Sequence, residues 1–188
     1  MNVLKQYVVA LFISNVGFGM SMGVLSLDAM KALSEEQWLL GNSLFMLTGV
    51  LLTRLGLHDK YANKITRHAR VIQSLELVVL ATINVLTYLS TDLTIRWLIQ
   101  GFTSGIMVSL TTMCWEQVKQ NSGEGRSIHA LVSSSFELGF VGGMLLALAA
   151  KSWLGIQLEV NTMLLVQTLT CAAETVAAVG VMNKYLKR

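Results

Sequence analysis

Long apolar stretches with very few charges are the feature that most restricts the fold of this chain. Two such stretches carry no charged residue, and four more carry a single one. Each is close to the roughly 20 residues that cross about 30 Å of hydrocarbon as a helix. The sequence therefore predicts six transmembrane helices, at approximately 6–27, 37–57, 70–90, 94–115, 127–150 and 159–183.

The composition excludes the main alternatives to a helical membrane protein. Of the 188 residues 53% are hydrophobic and 13% are charged, against about 25% charged in soluble domains. The apolar runs are too long for barrel strands and lack their alternation, and the absence of Pro favours uninterrupted helices. We expect an all-α, polytopic membrane protein whose residues 1–188 form one six-helix domain, with no cofactor.

The basic residues of the short loops predict the orientation of the helices. With the N-terminus inside, the cytoplasmic side receives ten Lys and Arg residues: Lys5, Lys60, Lys64, Arg67, Arg70, Lys119, Arg126, Lys184, Lys187 and Arg188. The opposite side receives three, Lys31, Arg96 and Lys151. Because positive charge accumulates on cytoplasmic loops, we expect both termini in the cytoplasm and a multi-pass protein of the cytoplasmic membrane.

Four short patterns, in order along the chain, resemble motifs of one transporter family. Residues 57–64 resemble a D-R-x-G-R-[RK] loop between spans two and three, and residues 96–105 resemble R-x-x-Q-G-x-G in span four. Residues 116–126, with Glu116 and Gly125-Arg126, are similar to an acid-then-Arg-Gly segment, and residues 139–143 to a glycine motif of antiporters. Together they resemble the major facilitator superfamily.

The resemblance covers the whole chain and implies one six-helix half of such a transporter. Members of the superfamily have two six-helix halves related by an axis along the membrane normal, with the substrate between them. A single half has no such cavity. The resemblance therefore implies a half-size secondary transporter of a small solute, with proton coupling as one option, that acts by alternating access as a parallel homodimer or with a second half.

Four residues within the predicted spans are candidates for contact with a substrate or a proton: Glu137, Arg96, Asn15 and Gln100. Glu137 lies deep in span five, where an ionised carboxylate is costly unless it is paired or hydrated. That position favours a proton-coupling role, although a structural glutamate paired with Arg96 is an equally open reading. Glu76 and Glu174 are two further acids within spans, and we expect both to be structural.

Charged residues at the cytoplasmic helix ends are candidates for a gate. By resemblance they form a network that holds the inward side shut, and the alternative is a set of solvated positive-inside charges. Exposed ion pairs contribute only about 0–1 kcal/mol each, which suits a latch that opens repeatedly. These candidates are Asp59, Lys60, Lys64, Arg67, Arg70, Glu116 and Arg126.

Three pairs of glycines at four-residue spacing predict close helix contacts. A pair at this spacing places both glycines on one helix face, where backbones can approach each other. The pairs are Gly19 with Gly23, Gly101 with Gly105, and Gly139 with Gly143.

The sequence contains no pattern typical of an enzyme or a metal site. There is no phosphate-binding glycine loop and no HExxH, and the three His residues lack metal-ligand spacing. Two alternatives to a transporter stay open. One is a non-transporting scaffold, assembly or immunity-type protein that binds another membrane protein through its helical face, and the other is one half of a split transporter.

Overall fold

The computed structural model describes the backbone of residues 3–56, 59–102, 104–105 and 126–185. Side chains are described for these residues except 3, 52–56, 59–67, 69–70, 72–73, 76, 126–129 and 185. The helices are α1 (Val3–Ala32), α2 (Glu35–Gly56), α3 (Asp59–Leu89), α4 (93–102 and 104–105), α5 (Arg126–Leu148) and α6 (Val160–Tyr185), with a π-helical turn over Ala149–Trp153 after α5. No strand occurs among the described residues, so the all-helical prediction is confirmed for them.

Three helices within the described residues are long and apolar enough to cross a membrane. They cover Leu4–Ala32, Ala130–Trp153 and Val160–Lys184, with mean hydropathies of 1.9, 1.6 and 1.6. A shorter apolar helical stretch covers Leu77–Leu89. Length and composition thus indicate an integral membrane protein. The prediction of six spans and of a major-facilitator bundle goes beyond these three helices and stays a prediction.

The helix α3 begins much earlier than the sequence predicted. It starts at Asp59, whereas the apolar pattern placed the start at residue 70. The intervening segment contains no Gly or Pro and includes good helix formers such as Ala62 and Lys64. The segment 57–64 was expected to be a loop, but from Asp59 onward it forms the first turns of α3. A polar sequence can continue a helix beyond its apolar part.

Side chains at two helix starts satisfy the free backbone N–H groups. Before α2, the Ser34 N–H donates to Gln37 Oε1 (3.1 Å) and the Gln37 N–H donates to Ser34 Oγ (3.3 Å), which is a capping box. Before α4, Asp92 Oδ1 accepts from the N–H groups of Thr94 (2.7 Å) and Ile95 (3.2 Å). These polar residues fix where the two helices begin.

The chain divides into two compact units. The first contains residues 1–32 and 124–177, and therefore α1, α5 and most of α6. The second contains residues 33–123 and 178–188, with α2, α3, α4 and the end of α6. Each unit is described separately below.

In the first unit, α1 and α5 pack through glycines on both helices. A Cβ atom on Gly19 would meet the Phe140 carbonyl oxygen, and one on Gly143 would meet the Val16 carbonyl oxygen and lie 3.0 Å from Gly19 Cα. Gly19 and Gly143 thus lie against each other's helix backbone. Since no side chain stands between them, the two helices approach at backbone distance.

The same contact continues at both ends of this pair. A Cβ atom on Gly23 would lie 3.0 Å from Ala147 Cβ, and one on Gly139 would lie 2.7 Å from the Phe12 carbonyl oxygen. Next to Gly23 along the chain, Val24 forms a buried apolar cluster with Ala147 and Met163. The four glycines therefore fix which faces of α1 and α5 are internal.

In the second unit, α2 and α4 meet in a similar way. A Cβ atom on Gly101 would meet the Gly41 carbonyl oxygen, and one on Gly105 would lie 2.6 Å from the Phe45 carbonyl oxygen. The Trp97 ring lies on Gly41 and donates its Nε1–H to the Trp38 carbonyl (3.0 Å). Glycines and one indole hydrogen bond therefore hold α4 against α2.

Candidate functional site

A line of polar contacts joins α1 to the first-unit part of α6. Ser21 Oγ donates to the Met163 carbonyl (2.8 Å), the Ser14 side chain is hydrogen-bonded to the Glu174 carboxyl group, and Thr170 Oγ1 would lie 2.6 Å from a Cβ atom on Gly17. On each helix these positions recur at intervals of three, four or seven residues, which places them on one face. We call this set the α1–α6 seam: Ser14, Gly17 and Ser21 with Met163, Thr170 and Glu174.

Glu174 is the buried acid of the seam. Its exposed fraction is 7% and that of Ser14 is 5%. At 1.5 Å per residue, Glu174 lies roughly 20 Å along the axis from Val160 and about 15 Å from Lys184, which is near the middle of the span. An ionised carboxylate at such a depth is costly, by about 2.5–3.5 kcal/mol on insertion scales. The Ser14 hydroxyl offers it one hydrogen bond.

Two buried oxygen atoms on α6 have no hydrogen-bond partner among the described residues. They are Gln167 Oε1 and Thr175 Oγ1, in side chains that are 3% and 6% exposed. Gln167 follows Met163 by four residues and precedes Thr170 by three, so it shares the face that carries the seam. Polar groups away from water are normally paired, and α6 therefore has unused hydrogen-bonding capacity beside its buried acid.

The structure places Glu137 differently from Glu174. Glu137 is exposed on α5, while Ser135 and Gly139 on either side of it are buried. Residues two positions apart on a helix point about 200° apart. Gly139 faces α1, so Glu137 lies on the opposite side of α5. The sequence predicts a similar depth for both acids, and the buried one is Glu174, which we expected to be structural.

The two predicted amide candidates make hydrogen bonds within the protein. In the first unit, Asn15 Nδ2 donates to the Leu11 carbonyl of its own helix (2.8 Å). In the second unit, Gln100 is 1% exposed and its Nε2 donates to Asn84 Oδ1 (3.2 Å) and Thr87 Oγ1 (3.1 Å). Gln100 therefore joins α4 to α3. The described hydrogen bonds of both amide groups are therefore made within the protein.

The Arg96 side chain donates hydrogen bonds to carbonyl groups at the C-terminal end of α3. Its Nε donates to the Ser90 carbonyl (2.5 Å) and its guanidinium also donates to the Tyr88 carbonyl (3.3 Å). The Tyr88 carbonyl lies in the last turn of α3 and the Ser90 carbonyl directly follows that helix. At a helix C-terminus, unpaired backbone oxygens and the helix dipole favour a cation. The described hydrogen bonds of Arg96 thus go to main-chain oxygens and not to a carboxylate.

All seven predicted gate residues lie outside the described side chains. Glu116 is outside the described residues entirely. For the others the structure gives the helix but not the side chain, in α3 or at the start of α5: Asp59, Lys60, Lys64, Arg67, Arg70 and Arg126, and likewise the buried-acid candidate Glu76. The gate stays a prediction.

One ion pair of the first unit was not predicted. Lys151 Nζ, in the π-helical turn, contacts Asp28 Oδ1 near the end of α1. Gly155 follows two residues after the turn and has a φ of 64°, which favours glycine, and the Ile156 N–H donates to the Ala150 carbonyl (2.8 Å). The sequence contained a signal for this pair. Asp28 follows span one and Lys151 follows span five, and both spans are predicted to end on the side opposite the cytoplasm.

Among the described residues, no group of three or more His, Cys, Asp or Glu side chains is arranged to hold a metal ion. In the described part of the first unit, the buried polar groups of the seam are one carboxyl group, its hydroxyl partner and nearby amide and hydroxyl oxygens.

Comparison of the chain with protein-family models, with curated proteins and with solved structures found no match.

Proposed function

We propose that this protein is a half-size secondary transporter of the major facilitator type, which moves a small solute across the membrane as a homodimer or with a second six-helix half. One observation carries the proposal: Glu174 is buried against Ser14 between two helices that are each long enough to span a membrane. Ionisable groups inside membrane spans are rare, and they typically mark proton, ion or substrate pathways.

In this proposal Glu174 carries the coupling proton, in place of Glu137. The protonated carboxyl group is neutral and compatible with the apolar surroundings of α6. When water reaches it from one side of the membrane, it releases the proton to that water and becomes an anion that needs hydrogen-bond donors such as the Ser14 hydroxyl. The two states differ by one charge, so each favours a different arrangement of α1 and α6.

Proton-linked flux in membrane vesicles tests this role. Inside-out vesicles that contain the protein would be given a pH gradient, and acridine orange fluorescence would report proton movement when sugars, amino acids or organic cations are added one at a time. We expect a solute-dependent proton flux for at least one class. Glu174→Gln should abolish the proton flux, because the amide cannot release a proton.

The matched control is Glu159→Gln. Glu159 is exposed and precedes the span that begins at Val160, so the same change there should leave the flux intact. Full proton-linked flux in Glu174→Gln would exclude Glu174 as the coupling residue. Absence of solute-dependent flux in the parent protein across the panel would count against the transporter itself.

A second candidate function is a membrane scaffold that binds another membrane protein. The observation that favours it is the internal hydrogen bonding of Asn15 and Gln100, since polar groups used this way hold helices together. A scaffold should co-purify in fixed stoichiometry with one membrane protein and should tolerate Glu174→Gln. A transporter should lose flux on that change and need no such partner.

A further inference from the structure

Gln167 is a buried polar side chain beside the α1–α6 seam that the proposed function leaves without a role. It is 3% exposed, and its Oε1 has no hydrogen-bond partner among the described residues. It lies seven residues after Val160, where the span begins, so it is about 10 Å inside the span at 1.5 Å per residue. A buried amide oxygen without a donor is costly, and such oxygens are normally paired with protein or with ordered water. Gln167 Oε1 therefore needs a hydrogen-bond donor.

The seam hydroxyl groups next to Gln167 have already used their hydrogen atoms, since a hydroxyl group carries only one. Ser21 Oγ donates to the carbonyl of Met163, which precedes Gln167 by four residues. Thr170 Oγ1, three residues after Gln167, donates to carbonyl oxygens of its own helix. The seam is also tightly packed, because a Cβ atom on Gly17 would lie 2.6 Å from Thr170 Oγ1. The donor is therefore small, and water is the smallest that a membrane protein meets.

Along α1, apolar residues lie at both ends of the polar part of the seam. That part runs from Ser14 to Ser21. Leu11, one turn before Ser14, is 1% exposed, and Val24, one turn after Ser21, is 0% exposed. Val24 belongs to the apolar cluster that also contains Met163. Water between these two ends is therefore enclosed, and enclosed water typically bonds to polar groups that would otherwise be unpaired.

Glu174 lies on the same side of α6 as Gln167. The two residues are seven positions apart, which is close to two full turns, so they share a helix face. Side chains on a helix lean toward its N-terminus, and the Glu174 side chain therefore leans toward Gln167. Thr170 lies between them, and its hydroxyl oxygen can still accept a hydrogen bond after donating its hydrogen. The oxygens of Thr170 and Gln167 thus lead from the buried acid toward the start of α6.

We infer that Gln167 Oε1 binds a water molecule inside the α1–α6 seam, and that this water takes the proton that Glu174 releases. In this step the O–H bond of the Glu174 carboxyl group breaks and the proton bonds to the water oxygen, which leaves a carboxylate and a hydronium ion. Gln167 Oε1 accepts a hydrogen bond from the water and a stronger one from the hydronium ion, because that donor is charged. The Ser14 hydroxyl stabilises the carboxylate. Gln167 is thus a positioning residue, and its part in proton transfer rests on the proposed function.

X-ray hydroxyl-radical footprinting of the full chain in native membrane vesicles, read by mass spectrometry, tests for the bound water. The radicals form from the water itself, so a buried sulfur beside bound water is oxidised and one in a dry contact is spared. The reporter is Met163, which is 6% exposed, and the matched control is Met182, which is 4% exposed. Each lies three residues from an end of α6. We expect oxidation of Met163 well above that of Met182.

Variants of α6 separate the amide oxygen from the rest of the helix. Gln167→Leu removes it and should lower both Met163 oxidation and solute-dependent proton flux roughly 3- to 10-fold, the range for the loss of one hydrogen bond. Gln167→Asn keeps an amide oxygen and should recover most of both. The control is Thr168→Val, a change of similar size at a hydroxyl that donates to the Leu164 carbonyl (2.9 Å), and it should match the parent. Misfolding of Gln167→Leu would raise the oxidation of both methionines, which is the opposite sign.

Equal oxidation of Met163 and Met182 in the parent protein would overturn the inference, and this comparison decides even if Gln167→Leu does not fold. Unchanged Met163 oxidation or unchanged proton flux in a folded Gln167→Leu would overturn it as well. The same vesicles separate this inference from the proposed function. Oxidation of Met163 that depends on Gln167, without solute-dependent flux in the parent, refutes the transporter and leaves the water site. Flux that requires Glu174 but not Gln167 refutes the present inference alone.

Discussion

The glycine contact between α1 and α5 yields the most direct test of the fold, because two adjacent glycines predict opposite results. Gly143 faces the α1 backbone, and a Cβ atom there would lie 2.9 Å from the Met20 nitrogen and 3.0 Å from Gly19 Cα. Gly142, its neighbour, has nothing within 4 Å of an added Cβ atom. The same change to Ala therefore adds a methyl group against a backbone at one position and in open space at the other.

The size of the effect follows from these distances. The nearest atom to an added Cβ on Gly143 is the Val16 carbonyl oxygen, which lies closer than the Met20 nitrogen. Non-bonded heavy atoms pack best at about 3.5–4.0 Å, so Gly143→Ala requires the helices to separate by roughly 1 Å, and a gap of this size forfeits up to about half of the local dispersion energy. Overpacking of this kind costs about 2–3 kcal/mol when the colliding atoms are backbone. Replacing a helical Gly by Ala returns about 1 kcal/mol. We expect Gly143→Ala to lower the free energy of unfolding by about 1–2 kcal/mol and Gly142→Ala to raise it by up to about 1 kcal/mol.

The assay is unfolding by sodium dodecyl sulfate in dodecylmaltoside micelles, followed by far-ultraviolet circular dichroism and tryptophan fluorescence. The informative quantity is the order of the three midpoints, with Gly143→Ala below the parent and Gly142→Ala at or above it. If Gly143→Ala were as stable as the parent, or if Gly142→Ala were the less stable variant, α1 and α5 would not pack at backbone distance.

Two further predictions concern local contacts. Ser34→Ala removes the capping hydroxyl of α2 and should lower the free energy of unfolding by about 1 kcal/mol in the same assay, whereas Ser34→Asp, which can still cap, should not. Asp28→Asn breaks the ion pair with Lys151 near the end of α1, and because the pair is partly exposed the loss should stay within about 1 kcal/mol. A larger loss in Asp28→Asn would mean that the π-helical turn depends on the pair.

The sequence was informative about helices and close contacts but not about which helices meet. The apolar runs predicted helices that the structure contains, and the paired glycines predicted close approach at positions such as Gly19 and Gly101, where added Cβ atoms would meet a backbone oxygen. Spacing shows that a helix has a face for close packing. It does not show whether the neighbour of α1 is α5 or another helix, since that depends on the complementary face elsewhere in the chain.

The orientation of the acids was harder to predict, for a physical reason. In a soluble protein burial follows hydrophobicity, but here Leu165 and Val176 of α6 are exposed while Gln167 and Glu174 are buried. Lipid solvates apolar side chains, so the polar residues are the ones that turn inward. On α5 the glycines indicate which side of the helix faces α1. Gly139 lies on that side, so Glu137, two residues earlier, lies on the opposite side. The spacing from the glycines, and not the polarity of the side chain, therefore places Glu137 away from the close contact of α5.

The two contacts of α1 are of different kinds, and the difference bears on how a charge change at Glu174 would act. One face of α1 meets α5 through glycines at backbone distance, where any sliding brings main-chain atoms into collision. The other meets α6 through single hydrogen bonds, such as that from Ser21 to the Met163 carbonyl, and each of these contributes only about 0.5–1.5 kcal/mol. The cost of about 2.5–3.5 kcal/mol for an ionised acid in the span is larger than any one of them. In the proposed function, ionisation of Glu174 would therefore act on the α1–α6 seam, whose single hydrogen bonds are weak, and not on the backbone contact between α1 and α5.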